Sequence, residues 1–261
     1  MLVSGQTPRK WFEIKNAAAE VAEVSIFDEI SPWGVTAQDF ITEIRAISAP
    51  SINLHLNTPG GDVYDGIAIY NELKNHPAQV HAYIPGLAAS IGTVIAMAAD
   101  DITIAPHARM MIHDAWMFAA GNAEDFAKHT ARLEATSQNL AEIYAERAPQ
   151  KSADEWRALM KAETWLTDSE AVDVGLADSV GRSNDAKSLR QAALFNLKRY
   201  RDGERVAALL REDAGGDEPA EQKEPLMPDA LRDPDLIEAA IQKYEQEQAA
   251  LEAALSPSAR R

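Results

Sequence analysis

The sequence predicts an α/β protein with a mostly parallel sheet, followed by a helical C-terminal tail. Between residues 20 and 182, short runs rich in β-branched residues alternate with longer segments whose apolar residues recur at helical spacing. Strands that alternate with helices of this length are typical of βαβ units, in which neighbouring strands lie parallel. Beyond residue 182 the strand-like runs stop, and blocks of charge with helical spacing follow. We therefore expect a folded domain over residues 1–182 and a charged helical, partly disordered tail over residues 183–261.

The elements of the domain follow in chain order from these patterns. The predicted strands are residues 21–30, 51–58, 80–84, 101–105 and 109–114. The predicted helices are residues 36–48, 62–75, 90–99 and 122–148, with a short helix further on. Asp62 is placed to cap the first turn of the second helix, and the long fourth helix stops before Pro149. Thr167 and Glu170 have the spacing of a capping box for the short helix, which ends at Gly175.

The tail reverses the sign of its charge along its length. Residues 186–211 carry seven Lys and Arg against two acids, whereas residues 212–252 carry thirteen Asp and Glu against three bases. The acidic part begins with a stretch rich in Gly, Pro and acid, which is typical of a flexible linker. Residues 233–255 then show a narrow apolar stripe at helical spacing. Two interpretations stay open for this helix, a solvated extension or a surface that docks a partner or a neighbouring copy.

The bulk composition argues against several classes of protein. The chain has 261 residues, of which 46% are hydrophobic and 25% charged, a net charge of −16 and no cysteine. The acidic balance argues against a nucleic-acid binder, because phosphate contacts require clustered Lys and Arg. We find neither a secretory signal nor an uncharged apolar run of about 18 residues, so we expect no membrane span. The absence of cysteine leaves no disulfide and no thiolate chemistry, which suits a cytoplasmic protein.

Two glycine-containing stretches predict parts of an acyl-transfer site. In LNTPGGDVYDG, residues 56–66, a strand ends in Pro-Gly-Gly and runs into a helix, which leaves backbone N–H groups uncovered at the positive end of that helix. Such groups can hold an anionic oxygen, and a simple tight turn is the alternative interpretation. In GLAASIG, residues 86–92, small residues surround Ser90 at the start of a helix. The Ser90 hydroxyl is either a nucleophile or an N-cap of the first helical turn.

Two later stretches offer a base and an acid. His113 ends an apolar strand-like run in ARMMIHDAW, residues 108–116, where a general base and a buried core histidine are both open interpretations. Glu163 has no capping function, so it is either a carboxylate that orients a histidine or a solvated surface acid. Asp168 already has a structural function in the first turn of the short helix. We find no cluster of metal ligands and predict neither a metal nor a cofactor.

Together these four stretches resemble the ClpP family of self-compartmentalising serine peptidases, part of the ClpP/crotonase fold group. The resemblance covers roughly residues 20–182 and keeps the family's order of motifs. It implies repeated ββα units around the mostly parallel sheet. The chain is still more similar to the ClpP-like head maturation proteases of tailed phages, through KWFEIKN, DEISPWGVTAQDF, GNAED and AETWLT. That subgroup implies cleavage of capsid and scaffold proteins in the host cytoplasm or within proheads.

Residue by residue, the resemblance implies a serine peptidase site without metal or cofactor. It makes Ser90 the nucleophile, His113 the general base and Glu163 the third member, at a position where the family usually has Asp. Asp168 is the fallback for that acid. The backbone N–H groups of Gly61 and Ile91 match the family's oxyanion hole. The resemblance also implies a homo-oligomeric ring and protein or peptide substrates, with no nucleic-acid or membrane partner.

Other functions stay open beside this one. A general ClpP-like peptidase subunit that works with an ATP-dependent unfoldase is the first alternative. A crotonase-type enzyme acting on acyl-CoA thioesters would use the same oxyanion hole without a serine–histidine pair. A Ser–Lys peptidase lacks a matching motif around the candidate lysines of the chain. The last alternative is a non-catalytic scaffold whose acidic C-terminal helix carries the function.

Overall fold

A computed structural model gives the structure of the chain and describes residues 10–31, 36–181 and 186–215. The strands are β1 (Phe12–Lys15), β2 (Val21–Ile26), β3 (Ser51–Leu56), β4 (Gln79–Ile84), β5 (Leu87–Ala89), β6 (Asp101–Ile104), β7 (Arg109–Ile112), β8 (Thr164–Leu166) and β9 (Ser179–Val180). The helices are α1 (Ala37–Arg45), α2 (Val63–Lys74), α3 (Ile91–Ala96), α4 (Ala123–Arg147), α5 (Ala153–Lys161), α6 (Asp168–Asp173), α7 (Ala186–Ala193) and α8 (Gly203–Asp213), with a 3₁₀ turn over Leu197–Arg199.

Six strands form the central sheet, in the order β1-β2-β3-β4-β6-β9. β1 is antiparallel to β2, and the other neighbouring pairs are parallel. Alternate residues of these strands are buried, for example Val24 and its neighbour Leu54, because successive side chains of a strand point to opposite faces. The prediction of an α/β protein with a mostly parallel sheet is therefore confirmed. The edge strands β1 and β9 are not predicted, since they have only four and two residues.

A second sheet of three strands, in the order β5-β7-β8, lies beneath the candidate site. β5 runs parallel to β7 with Ala89 opposite Met111, so the residues just beyond the carboxyl ends of both strands come together. β8 runs antiparallel to β7 with Thr164 opposite Ile112. The sequence pattern does not predict β5, because its three residues are all buried and show no alternation of apolar and polar side chains.

N-cap side chains begin the helices around these sheets. Asp62 accepts hydrogen bonds from the backbone N–H groups of Tyr64 and Asp65, as the sequence predicts. Capping boxes begin four of the described helices, at Thr36–Asp39, Asn122–Asp125, Ser152–Glu155 and Thr167–Glu170. The last of these confirms the predicted start of the short helix. Across the described residues, we find no helix that combines the length and the apolar character needed to cross a bilayer.

Residues 186–215 pack against the second sheet. Their buried apolar side chains share a cluster with Leu87, Ala89 and Met111 of β5 and β7. Five large members of this segment are at most 2% exposed, namely Leu189, Phe195, Leu197, Val206 and Leu210. At about 1.5–3 kcal/mol for each buried side chain, their burial contributes on the order of 10 kcal/mol as an upper estimate. The helical character expected there is observed, the division of the chain at residue 182 stays a prediction, and the helix expected over 233–255 lies outside the described residues.

Candidate active site

Ser90 stands where β5 turns into α3, with its hydroxyl against an imidazole. The Ser90 Oγ lies 2.7 Å from Nε2 of His113, and the Ser90 N–H donates to the carbonyl of Met111 on β7. Ser90 occupies the N-cap position of α3, but its side chain makes no capping hydrogen bond. The N-cap interpretation of its hydroxyl therefore does not hold, and the oxygen faces His113 instead.

The backbone of Ser90 is held in a conformation that side chains rarely adopt, with φ +56° and ψ −130°. Such a conformation costs about 1–3 kcal/mol in a residue with a Cβ and little in glycine. Neighbouring packing maintains it, since the flanking residues Ala89 and Ile91 are buried. The strained turn directs the hydroxyl away from the helix and towards the imidazole.

We predict that Ser90→Gly is more stable than Ser90→Ala by about 1 kcal/mol, because glycine relieves this strain and part of the gain is offset by its greater freedom in the unfolded chain. Both variants lose the same hydroxyl, so their difference isolates the backbone. Urea unfolding of the two variants measures it. If Ser90→Ala proved as stable as Ser90→Gly, the turn would carry no strain.

His113 follows β7 and is largely buried. Burial and, to a smaller extent, the nearby Arg199 guanidinium together lower the pKa of its imidazole to about 4, while Asp114 opposes the shift. The imidazole is therefore neutral above about pH 4 and able to accept a proton from Ser90. Asp114 itself forms a bidentate ion pair with Arg157, at 2.8 and 2.9 Å, and so does not bond to the imidazole beside it.

The Pro-Gly-Gly turn packs the backbone of two glycines closely against Ser90. Gly60 and Gly61 have φ values of +95° and +149°, and a Cβ built on Gly60 would lie 2.7 Å from the Cβ of Ser90. Two hydrogen bonds anchor the turn. The Ile30 N–H donates to the carbonyl of Gly60, the Asp62 N–H donates to the carbonyl of Ile30, and neither bond involves the Gly61 N–H. The N–H of Ile91, as the first residue of α3, has no acceptor within its helix. Neither N–H donates to another backbone group among the described residues, and Gly61 and Ile91 line the same cavity as Ser90.

Neither predicted acid bonds to the imidazole within the described part of the chain. Glu163 follows α5 in the left-handed conformation, with φ +54°, and its Oε1 accepts hydrogen bonds from the Trp165 indole at 3.3 Å and the Asp202 N–H at 3.4 Å. Asp168 accepts from the backbone N–H of His107 at 2.7 Å and is engaged there. The register of β7 and β8 places Glu163 next to the strand end that carries His113. Its carboxylate nevertheless bonds to Trp165 and to the N–H of Asp202.

Two residues of the C-terminal segment complete the site, and sequence reasoning missed both. Arg199 and Tyr200 line a cavity of about 340 Å³ together with Ser90 and His113. Arg199 forms an ion pair with Glu29, and burial raises the pKa of Tyr200, while Arg199 and a hydrogen bond with Ser90 act in the opposite direction. In the sequence these residues belong to a basic helical stretch about 110 positions after Ser90. Nothing in that pattern predicts that they lie beside Ser90 in the folded protein.

The rest of the cavity wall is mainly apolar. It is lined by side chains from α2, α4 and the segment after β7, including Val63, Trp116, Met117, Leu140 and Tyr144. Such a surface suits an uncharged side chain next to the reacting groups. Over residues 10–31, 36–181 and 186–215 we find no group of three or more acidic, His or Cys side chains arranged to hold a metal ion.

Comparison with known proteins identifies similarity to Clp proteases, both in a family model and in individual relatives. Residues 6–184 match the family described as Clp protease. The ATP-dependent Clp protease proteolytic subunit 2 of Corynebacterium glutamicum is 34% identical over 131 residues, which are 49% of this chain and 65% of that protein. The subunit 1 proteins of Corynebacterium jeikeium and Chlamydia abortus are 31% and 33% identical, over 55% and 48% of this chain and 79% and 67% of their own lengths. The chain thus spans just under two thirds of the length of the Corynebacterium glutamicum subunit.

Proposed function

The chain belongs to the Clp protease family, and from this premise we propose that it is a serine endopeptidase with Ser90 as nucleophile and His113 as general base. The observation that carries the proposal is the 2.7 Å approach of the Ser90 Oγ to Nε2 of His113, beside the uncovered N–H groups of Gly61 and Ile91. A hydroxyl in hydrogen-bond contact with a neutral imidazole and close to free backbone donors is the arrangement that acyl transfer requires.

The proposed reaction proceeds in two halves. The Ser90 Oγ attacks the carbonyl carbon of the scissile peptide while Nε2 of His113 takes the hydroxyl proton. The N–H groups of Gly61 and Ile91 stabilise the oxyanion of the tetrahedral intermediate. The imidazolium then gives its proton to the leaving amine, and the acyl chain stays on Ser90. In the second half, a water that loses its proton to His113 attacks the acyl-enzyme, and the Ser90 hydroxyl is regenerated.

Glu163 as the third member stays a prediction. Its Oε1 accepts hydrogen bonds from Trp165 and from the N–H of Asp202, and no described hydrogen bond joins the carboxylate to the imidazole. Asp168 has the same status, because the N–H of His107 already occupies one of its oxygens. The proposal therefore assigns the chemistry to the Ser90–His113 pair and the two backbone donors.

A serine-directed reagent tests this assignment. We expect a fluorophosphonate probe to modify the folded protein once per chain, at Ser90 within residues 86–92, because only an activated serine reacts rapidly with such reagents. Mass spectrometry of the digested protein locates the label. Labelling at another residue, or no labelling of folded protein, would contradict the proposal and favour the acyl-CoA alternative.

For the substrates, we propose capsid and scaffold proteins of a tailed phage, cleaved in the host cytoplasm or within proheads by a ring of this chain. The support is the resemblance of KWFEIKN and the other quoted motifs to head maturation proteases. Incubation with candidate capsid and scaffold proteins, followed by mass spectrometry of the products, tests it. Defined cleavage sites in those proteins support the proposal, and their complete resistance beside active peptide hydrolysis contradicts it.

A second candidate is a proteolytic subunit that depends on an ATP-driven unfoldase. The observation that favours it is the name of the relatives, which are ATP-dependent Clp protease proteolytic subunits. Folded substrates that are cleaved only when an unfoldase and ATP are added would support this candidate. Cleavage of capsid and scaffold proteins without ATP favours the first.

A further inference from the structure

Tyr200 reaches from the C-terminal segment into the centre of the site. Its side chain is 5% exposed, and its ring lies edge-on to the imidazole of His113, with 5.2 Å between centroids and 78° between planes. Its hydroxyl donates a 2.7 Å hydrogen bond to the carbonyl of Pro59. Pro59 directly precedes the Gly60–Gly61 turn, so one side chain contacts both the base and the turn that carries an oxyanion donor.

The same segment holds the carboxylate of Glu163. The Asp202 N–H donates to Glu163 Oε1, and Trp165, the other donor to that oxygen, has its ring 6.0 Å from the ring of Tyr200. Tyr200 therefore lies between the imidazole of His113 and the residues that bond to Glu163. Glu163 supports the segment rather than the imidazole.

The segment is a fixed part of the site and not a lid. Tyr200 is followed by α8 and preceded by α7, and both helices share their apolar cluster with Leu87, Ala89 and Met111. These three residues belong to β5 and β7, the strands that end next to Ser90 and His113. Removing Tyr200 from the site by moving the segment would expose this whole cluster, so the contacts of Tyr200 persist while the protein is folded.

We infer that Tyr200 is a positioning residue, whose ring holds the His113 imidazole towards Ser90 and whose hydroxyl holds the turn of Pro59 to Gly61. Glu163 acts on the segment that carries Tyr200, through the Asp202 N–H, and not on the imidazole. The inference rests on the proposed function, since it assigns the orientation of a base to a residue outside the triad. An edge-to-face ring contact and a hydrogen bond to a backbone carbonyl both restrict orientation without moving a proton.

Three variants of the full chain test the inference, with kcat and KM for a peptide substrate and the fraction of sites labelled by a fluorophosphonate as readouts. Tyr200→Leu removes both contacts and is expected to lower kcat by about 10–100-fold with little change in KM, since a misplacement of about 1 Å can cost 100-fold. Tyr200→Phe keeps the ring but loses the hydroxyl, and is expected to lower kcat by about 2–10-fold, the effect of one lost hydrogen bond. Glu163→Gln keeps an oxygen acceptor for Trp165 and Asp202, and is expected to change kcat less than about threefold, whereas a triad acid replaced by its amide loses about 10⁴-fold.

The pH profile separates positioning from a general loss of structure. Tyr200→Leu admits water to the imidazole, so the pKa of His113 rises and the acid limb of kcat/KM moves to higher pH. Arg199 and Asp114, the charged groups that act on this imidazole, are unchanged in the variant. If Tyr200 only stabilised the fold, Tyr200→Leu would lower the folded fraction but would leave the acid limb of kcat/KM at the same pH.

Three results would overturn the inference. These are a loss of about 10⁴-fold in Glu163→Gln, an unchanged kcat in Tyr200→Leu, and a higher kcat in Tyr200→Leu, which would make the tyrosine an obstruction. If Tyr200→Leu does not fold, Tyr200→Phe and Glu163→Gln decide the question. A partial loss of kcat in Tyr200→Phe beside retained activity in Glu163→Gln supports the inference, and an unchanged kcat in Tyr200→Phe contradicts the role of the hydroxyl. Failure of the proposed function is distinguished by the wild-type protein, whose Ser90 would then remain unlabelled.

Discussion

Ser90→Ala is expected to lower the rate of peptide hydrolysis by about 10⁴–10⁶-fold, because it removes the attacking oxygen and leaves only the backbone donors and substrate binding. The variant keeps the fold, since alanine preserves the Cβ and only the hydrogen bonds of the hydroxyl, to His113 at 2.7 Å and to Tyr200, are lost. Such a bond contributes about 1 kcal/mol to stability. The measurement is kcat/KM for a peptide substrate, with circular dichroism to verify the folded state.

Ser169→Ala is the matched control for this variant. Ser169 is an exposed serine in the first turn of α6, so the same change is expected to leave hydrolysis unaltered. Peptidase activity of Ser90→Ala within tenfold of the wild type would end the assignment of the nucleophile. It would direct attention to another hydroxyl or to a contaminating peptidase.

Gly61→Ala is expected to lower kcat by about 10²–10³-fold, the loss typical of removing one oxyanion-hole donor. A Cβ at this position would lie 1.8 Å from the carbonyl oxygen of Ile30, and the φ of +149° adds strain in any residue other than glycine. The turn must therefore shift, and the Gly61 N–H moves with it. Steady-state kinetics at matched folded fraction measures the effect.

Gly181→Ala provides the control for the loss of a glycine. A Cβ there would meet no atom closer than 3.4 Å, and its backbone is not left-handed, so activity and stability are expected to stay near the wild-type values. An unchanged kcat in folded Gly61→Ala would show that the Gly61 N–H does not stabilise the transition state. The oxyanion would then have to be held by Ile91 and by a donor other than Gly61.

Local patterns in the sequence are sufficient for the architecture but not for the approach of Ser90 to His113. The alternation in β2 and β3 and the helical spacing after them predict the parallel sheet, because burial of one face is a local property of a strand or helix. These patterns single out Ser90 at a helix start and His113 at the end of a strand-like run. The parallel pairing of β5 with β7, which the patterns do not predict, brings the two side chains to 2.7 Å. Their catalytic roles, and those of Gly61 and Ile91, stay predictions.

The acid was the least predictable part of the site. The motif around Glu163 predicts a carboxylate opposite His113, and the register of β8 with β7 agrees with that position. The sequence does not reveal that Glu163 adopts a left-handed φ of +54°, a conformation that is uncommon outside glycine. Its side chain consequently faces Trp165 and the N–H of Asp202, and this could be read only from the packed structure.

By itself, then, the amino-acid sequence determined the fold class and the helix starts, since each depends on residues close together in the chain. Only the tertiary structure decided that Arg199 and Tyr200 join the site and that Glu163 bonds to Trp165 and Asp202. The physical reason is that these positions follow from the burial of α7 and α8 against β5 and β7. A contact between residues more than one hundred positions apart depends on the complementary shapes of two packed surfaces, and the local pattern of neither segment contains that information.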